Sequence, residues 1–347
     1  MIATLVDSLG SKFSARIILY VTLILLLFIT SIREGIGTDF YNYKDIYELI
    51  TRNHQYNVEY GFVFLNYFAY FLGGFKILLF LTAMINISIF YYILKKLNLN
   101  IYIGILTYYS MFFLNHNFNT IRHGLLSAFV WLAFYFYLKR EKLKSYLSLI
   151  LAFLFHQAAI IILPFKFLTK LKINLFFSCL LLLTFFYVGI LLKDYFVLLN
   201  MFSFANESKF NYYLNDNNMS EAVRYKFGLG FFLYVIIYFI ILKFESYFNN
   251  RNQILFFNRI LFLAVSTICV FASLSILSER IANTLLLSIV FIFSSIGKLK
   301  IKLIYRLSFL FLIIAVNFFY LYKILNIVGI NRPLQFVPYN YSFSFLW

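Results

Sequence analysis

An all-α bundle that crosses a membrane many times is the fold this sequence predicts, and three observations predict it. Hydrophobic residues make up 63% of the 347-residue chain and charged residues only 12%, a balance far beyond what a single soluble core needs. Apolar runs of about 15 to 22 residues recur from end to end, and a helix rising about 1.5 Å per residue needs roughly 20 to cross a bilayer. The runs are continuous rather than alternating, which excludes a membrane β-barrel. Length then allows about nine to eleven spans with short connections, some re-entrant or broken, in a single transmembrane domain over 1–347.

The elements follow in order. The run 17–32 is preceded by Lys12 and Arg16, a signal-like flank, but Arg33 and Glu34 succeed it instead of a small-residue cleavage pattern, so it reads as the first retained span. Further spans fall at 75–94, 101–114, 121–138, 146–165, 173–192, 227–242, 254–277, 281–296 and 307–325. Segment 61–72 is apolar but too short to cross, and Gly73 and Gly74 interrupt it. It reads as a helix lying in the interface or dipping back.

A formal charge of +17 on a soluble chain would suggest nucleic acid. Here Lys and Arg gather in the short loops 95–96, 139–144, 166–172, 243–251 and 298–306, the positive-inside pattern, and no nucleic-acid partner is expected. The loops 33–60 and 193–226 and the tail after 325 then face outward, and 33–60 carries more acid than base, as that assignment requires. Parity fails at 146–165, which has a basic loop on each side and contains His156 and Pro164. Either the helix is broken or re-entrant there, or one basic loop lies on the other side. Aromatics at 22% accompany a general bias toward Phe, Tyr, Asn and Ile, and suit interfacial anchoring and sugar stacking as well. Cys179 and Cys269 lie in apolar runs, which argues against a disulfide framework or a zinc site.

No P-loop, dinucleotide fingerprint, HExxH or nucleophile elbow is present, so no cofactor or metal is expected. Ionisable groups at or inside spans are costly and usually face a cavity. Arg122 and His123 open the span at 121 after Asn115, His116, Asn117 and Asn119; Glu279 and Arg280 sit between apolar runs; His156 is in the middle of one. A lone histidine in a bundle is more often a hydrogen-bonded packing residue, and Glu279 with Arg280 also suits the tip of a tight hairpin. The outer stretch holds Arg33, Gly35, Gly37, Thr38, Asp39, Tyr41 and Tyr43, then Glu59, Tyr60 and Gly61. Glycines let backbone amides approach a ligand, and arginine holds phosphate oxygens through a fixed fork of donors. The same residues also suit an ordinary turn-rich loop with an Asp cap.

The run 33–43 (Arg-Glu-Gly-Ile-Gly-Thr-Asp-Phe-Tyr-Asn-Tyr), then Glu59-Tyr60-Gly61-Phe62, the run 118–125 containing Asn119, Arg122, His123 and Gly124, and finally Phe155-His156-Gln157-Ala158-Ala159 resemble, in order and spacing, the EpsG family of Wzy-type polysaccharide polymerases. The likeness spans the chain and includes Val337-Pro338-Tyr339. It departs at His123, where Gln is commoner, and at Gln157 and Ala158, where small hydroxyl residues are commoner.

The resemblance implies a multi-pass protein of the bacterial inner membrane with a GT-C-like bundle. Its activity would be glycosyl transfer of a growing glycan from undecaprenyl diphosphate to the non-reducing end of the next lipid-linked repeat unit, building O-antigen, capsule or exopolysaccharide. Partners would be undecaprenyl-diphosphate-linked oligosaccharides and membrane lipids, with a chain-length regulator and a flippase alongside. The chemistry makes Arg122, Arg280, Arg33 and Arg224 candidates for the diphosphate, and His156, Asp39 and Glu59, in that order, candidates for the base. Asn119, His123 and Tyr41 are further substrate-binding candidates, with Tyr43, Tyr212, Tyr213, Asn217 and Asn218 offering flat faces and amides to sugars. A lipid-linked oligosaccharide flippase, or a ligase or acyltransferase on the same carrier, is the alternative; no internal repeat of the transporter kind is visible.

Overall fold

The computed structural model describes residues 12–52, 58–162, 174–199, 227–272, 275–297, 299, 303–326, 336, 339 and 341. Regular structure among them is helical, apart from an isolated antiparallel bridge between Arg33 and Tyr341. The helices are, in chain order, α1 (Lys12–Ile32), α2 (Phe40–Thr51), α3 (Tyr60–Leu72), α4 (Phe75–Lys96), α5 (Ile101–Tyr108), α6 (Ile121–Leu138), α7 (Lys142–Phe155), α8 (Ala159–Ile162), α9 (Leu175–Leu199), α10 (Leu229–Phe244), α11 (Arg251–Val270), α12 (Ser275–Leu286), α13 (Ser288–Ile296) and α14 (Leu303–Leu325). Among the described residues six helices, α1, α4, α6, α10, α11 and α14, are long and apolar enough to cross a membrane. Helix α9 is 25 residues long, and the other apolar segments are shorter or interrupted. The chain is thus a multi-spanning helical membrane protein.

Two compact units are present, Met1–Ile160 with Phe293–Trp347, and Ile161–Ile292. In the first, α4 packs against α1, α3 and α6, and α6 pairs with α7 across the turn at Lys139 and Arg140. In the second, α9, α10 and α12 pack on α11, whose buried residues run almost continuously from Gln253 to Cys269.

The outer stretch 33–60 contains a helix that sequence inspection reads only as loop. In α2, Phe40, Tyr43, Tyr47 and Ile50 recur at helical spacing and are buried, while Tyr41 is 61% exposed. The buried face joins Phe62, Leu65, Leu78 and Leu79 of α3 and α4 in one apolar cluster, and fully burying a side chain of this kind stabilises by about 1.5–3 kcal/mol. Helix α3 stops at Gly73 and Gly74, whose φ values of 132° and 109° are open to glycine and strained for other residues. The chain then turns directly into α4, which matches the reading of 61–72 as too short to cross.

Helix α5 begins at Asn100, whose side chain accepts from the backbone N–H of Ile103 at 3.1 Å, an N-cap bond. It does not stop at 114. It widens into two π-helical turns, Tyr109–Phe113 and Asn115–Asn119, and ends at Thr120, whose N–H donates to the Asn115 carbonyl at 2.8 Å. Such widening turns frequently mark functional sites. At the other parity problem, α7 ends where His156 adopts extended backbone (φ −161°, ψ 127°), and the chain resumes as α8 three residues later. The structure therefore favours a broken helix as the explanation for the mismatched basic loops; Pro164 and the loop 166–172 lie outside the described residues.

Close approach of the π-helical segment to α6 requires Gly124. A Cβ there would stand 2.6 Å from the His116 carbonyl oxygen and 3.0 Å from Asn86 Nδ2. Gly124→Ala is expected to destabilise the full-length protein by about 1–3 kcal/mol through overpacking, read as a lowered thermal midpoint in detergent; an unchanged midpoint would mean that the two segments are free to separate.

Candidate active site

Glu59 lies just before α3 in the N-cap position, and its carbonyl accepts from the N–H groups of Phe62 and Val63 at 3.0 and 3.1 Å. Its side chain does not cap the helix. Instead Oε2 accepts from Arg122 Nη1 at 2.7 Å and Oε1 accepts from the backbone N–H of Gln157 at 3.1 Å. His156 Nδ1 is 3.6 Å from the same Oε1 and accepts from the Ala158 N–H at 3.2 Å. Residues distant in sequence, from the start of α3, the first turn of α6 and the break after α7, thus converge on one carboxylate.

Sequence explains why each arrives. Gly61 lets α3 close on α7, because a Cβ there would lie 2.7 Å from the Leu154 carbonyl oxygen. The Arg122 N–H, one of the unsatisfied donors at a helix start, points at the Tyr43 hydroxyl at 3.5 Å. Breaking the helix at His156 releases the Gln157 N–H from the intrahelical ladder for Glu59. Side-chain exposure is 25% for Arg122, 10% for Glu59 and 14% for His156, so the group is sheltered yet reachable. Arg122 Nε is buried without a partner among the described residues, while Phe62 stands 6.0 Å below the guanidinium. Burial pushes the Glu59 carboxyl up, but Arg122 and the N–H donors outweigh it and hold the group below its ordinary range.

Arg33, a phosphate candidate in the sequence, is turned inward. It is wholly buried, Nη1 donates to the carbonyls of Ile36 and Phe118 at 2.8 and 2.7 Å, and the guanidinium lies 4.6 Å from the Phe118 ring and 5.5 Å from Phe40. Burial lowers its pKa to about 9, which leaves it charged at neutral pH. Its place is that of a brace, holding the Gly-Thr-Asp turn to the π-helical segment. Gly37, at φ 96°, permits the contact, since a Cβ would stand 2.3 Å from the Phe118 carbonyl oxygen. Asn119 completes it, Oδ1 accepting from the Thr38 N–H at 3.1 Å.

The other predicted residues are distributed around this centre. His123 is buried, its ring 6.1 Å from that of His156 and 6.0 Å from that of His116. Asp39 occupies the N-cap position of α2 and is half-buried. Tyr41 is exposed, with its hydroxyl beside Gly35. Arg280 is an exposed residue of α12 and belongs to the second unit. Arg224, Tyr212, Tyr213, Asn217 and Asn218 lie outside the described residues, as do Val337, Pro338 and the side chain of Glu279. Sequence reasoning did not find the buried amide pair behind the site, Asn86 Nδ2 donating to Asn117 Oδ1 at 2.9 Å. An asparagine in the middle of the apolar run 75–94 was the available signal. Among the described residues no group of three His, Cys, Asp or Glu is arranged to hold a metal ion.

The motifs around Arg33, Glu59, Arg122 and His156 are therefore spatial neighbours or braces of one site, and residues 16–341 match the EpsG family. The chain belongs to the EpsG family. No curated protein and no solved structure matches it. EpsG membership places it among membrane proteins of polysaccharide biosynthesis and supports a glycosyltransferase-like role.

The depressed Glu59 carboxyl carries a pH signature. A carboxyl whose folded pKa lies below its unfolded value of about 4.3 stabilises the fold above that pH and loses the contribution as pH falls through the folded value. Thermal midpoints are expected to hold from neutral pH to about pH 5 and to drop below about pH 4.3, with Glu59→Gln removing part of the drop. Identical acid profiles for the two proteins would show that the Glu59–Arg122 pair adds nothing to the folded state.

Proposed function

We propose that this EpsG-family protein is a Wzy-type polymerase acting at the outer face of a bacterial inner membrane. It would move a growing glycan from undecaprenyl diphosphate to the non-reducing end of a lipid-linked repeat unit. The observation that carries the reading is the partly exposed Arg122, fixed by Glu59 beside His156. In the transfer, the acceptor hydroxyl oxygen attacks the anomeric carbon while the bond to the diphosphate oxygen breaks, its electron pair leaving with the phosphate. Charge grows on that oxygen, and a preorganised guanidinium lowers the barrier where it grows. Arg122 retains Nη2 for this, because Glu59 engages Nη1 and Nε is buried.

The acceptor's proton needs a base. In the present geometry His156 Nδ1 accepts from Ala158, which places the proton of the neutral ring on Nε2. Shortening the 3.6 Å separation from Glu59 Oε1 into a hydrogen bond moves that proton to Nδ1 and frees Nε2 to take the acceptor's. Catalytic hydrogen bonds commonly tighten in this way when substrate binds. Glu59 serves both partners, orienting the arginine and the imidazole, and Asp39 at the mouth of α2 is a second carboxylate near the acceptor sugar. The lipid-linked donor, the acceptor and the assembly with a flippase and chain-length regulator are part of the same proposal.

Deleting the gene is expected to leave single repeat units on the surface lipid. A ligase defect would leave polymer on the carrier and a flippase defect would accumulate units inside. Arg122→Ala and His156→Ala should lose long chains, with transfer per folded protein reduced roughly 10²–10⁴-fold. Arg122→Lys should rescue poorly, because a point charge cannot hold Glu59 and a phosphate through one planar fork. Full-length polymer from Arg122→Ala would overturn the assignment.

A further inference from the structure

One wholly buried imidazole of the first unit, that of His116 in the second π-helical turn, has no hydrogen-bond partner at Nδ1 or Nε2 among the described residues. Rings surround it, with centroids 6.3 Å away at Tyr108, 5.9 Å at Phe112 and 6.0 Å at His123. A buried polar atom that gives up water without a replacement bears its full desolvation penalty. Native structures meet such groups with protein atoms or with ordered water.

The neighbours of His116 leave complementary bonds open. Asn86 is also wholly buried; its Nδ2 donates to Asn117 Oδ1 at 2.9 Å, while its Oδ1 is unpartnered. Tyr108 is 1% exposed, and its hydroxyl oxygen accepts from Asn117 Nδ2 at 3.4 Å, which leaves the hydroxyl proton to donate. Asn86 and His116 stand side by side against α6, because the point where Gly124 lacks a Cβ lies 3.0 Å from both Asn86 Nδ2 and His116 Cβ. A neutral imidazole carries one N–H and one lone pair. The open bonds are therefore balanced, with the His116 N–H and the Tyr108 O–H as donors and the other His116 nitrogen and Asn86 Oδ1 as acceptors. Water both donates and accepts, and two bonds of about 2.8 Å let it join atoms about 5.6 Å apart.

Depth and burial narrow the ligand to that molecule. Asn86 lies about 16 Å along α4 from Phe75 at about 1.5 Å per residue, where bulk water does not reach to satisfy polar groups. Groups this enclosed admit nothing larger than water, and among the described residues no His, Cys, Asp or Glu group is arranged for a metal ion. We propose that His116, Asn86 and Tyr108 hold a pair of ordered waters, one on each imidazole nitrogen, between α4 and the π-helical segment. The waters tie α4 to the segment that carries Asn119 and leads into Arg122, so hydrogen bonding as well as apolar packing fixes the back of the site. This hydration site does not depend on the glycosyl-transfer reading.

Water-edited nuclear magnetic resonance of the full chain in lipid bilayers, with isotope-labelled histidine, tests it. His116→Phe identifies the His116 signals by their loss, and His116→Gln serves should that chain fail to fold. Polarisation from water protons is expected on both His116 nitrogens at short mixing times. His156, whose side chain is 14% exposed, provides the control. Asn86→Leu and Tyr108→Phe each remove one of the about three bonds that a buried water makes, and each should roughly halve the transfer to His116. An unmoved His156 signal shows that either variant is folded. Water contact at His156 with none at His116 in the wild type would overturn the proposal, as would transfer to His116 that neither variant alters.

Discussion

The first unit is organised by one charge pair. Taking a carboxylate or a guanidinium out of water costs several kcal/mol per ion unless a partner and further hydrogen bonds compensate. Glu59 and Arg122 are both sheltered and meet at 2.7 Å, so the segments carrying them must meet as well. That condition draws the start of α3 onto the first turn of α6. It also accounts for the break after α7, because the second carboxylate oxygen needs a donor and the Gln157 N–H supplies one at 3.1 Å only by leaving the helical ladder. A continuous α7 would leave Oε1 without that donor and keep His156 in the helix.

A second buried charge works differently. Arg33 meets carbonyls and ring faces instead of a carboxylate, and so it fastens backbone to backbone, the turn at Ile36 to the π-helical segment at Phe118. Around it Phe336 packs 6.0 Å from Phe118, the Tyr339 hydroxyl donates to the Ile29 carbonyl, and the backbone of Arg33 bridges to that of Tyr341. Carbonyl oxygens carry only partial charge, and the two Phe faces add roughly 0.5–2 kcal/mol each as cation–π partners. The brace keeps Asp39 and Asn119 in register with the site. The two arginines that look alike in sequence thus differ in place, one wholly buried in the frame and the other paired with Glu59 and partly exposed.

Much of the fold was legible because bilayer chemistry writes it in long apolar runs. The limits of α6 coincide with those read from hydropathy, and the double glycine after Leu72 and the disturbed parity around His156 both pointed to real interruptions. Less legible was anything set by side-chain direction. The burial of Arg33 follows from a turn whose glycines permit contact with Phe118, and a run of residues does not show which way that turn closes. The pairing of Glu59 with Arg122 joins positions 63 apart, beyond any local pattern. The π-helical widening leaves an ordinary apolar run in the sequence. The alternating exposure in α2 was legible in principle, but Tyr and Asn among its residues resemble loop composition.

The histidine arrangement shows how far the frame reaches into chemistry. Of the chain's four histidines, His116, His123 and His156 lie in succession, with ring centroids 6.0 and 6.1 Å apart. The outermost member is the one in contact with Glu59 and the broken backbone. Its Nδ1 has two competing neighbours, the Ala158 N–H, which demands a lone pair, and the Glu59 carboxylate, which demands a proton. Only one can be satisfied at a time, so the tautomer of His156 is tied to the position of Glu59, and Glu59 is tied to Arg122. In the proposed transfer, an anion that pulled on the arginine would alter which imidazole nitrogen is free, coupling anion capture to proton acceptance through a single carboxylate.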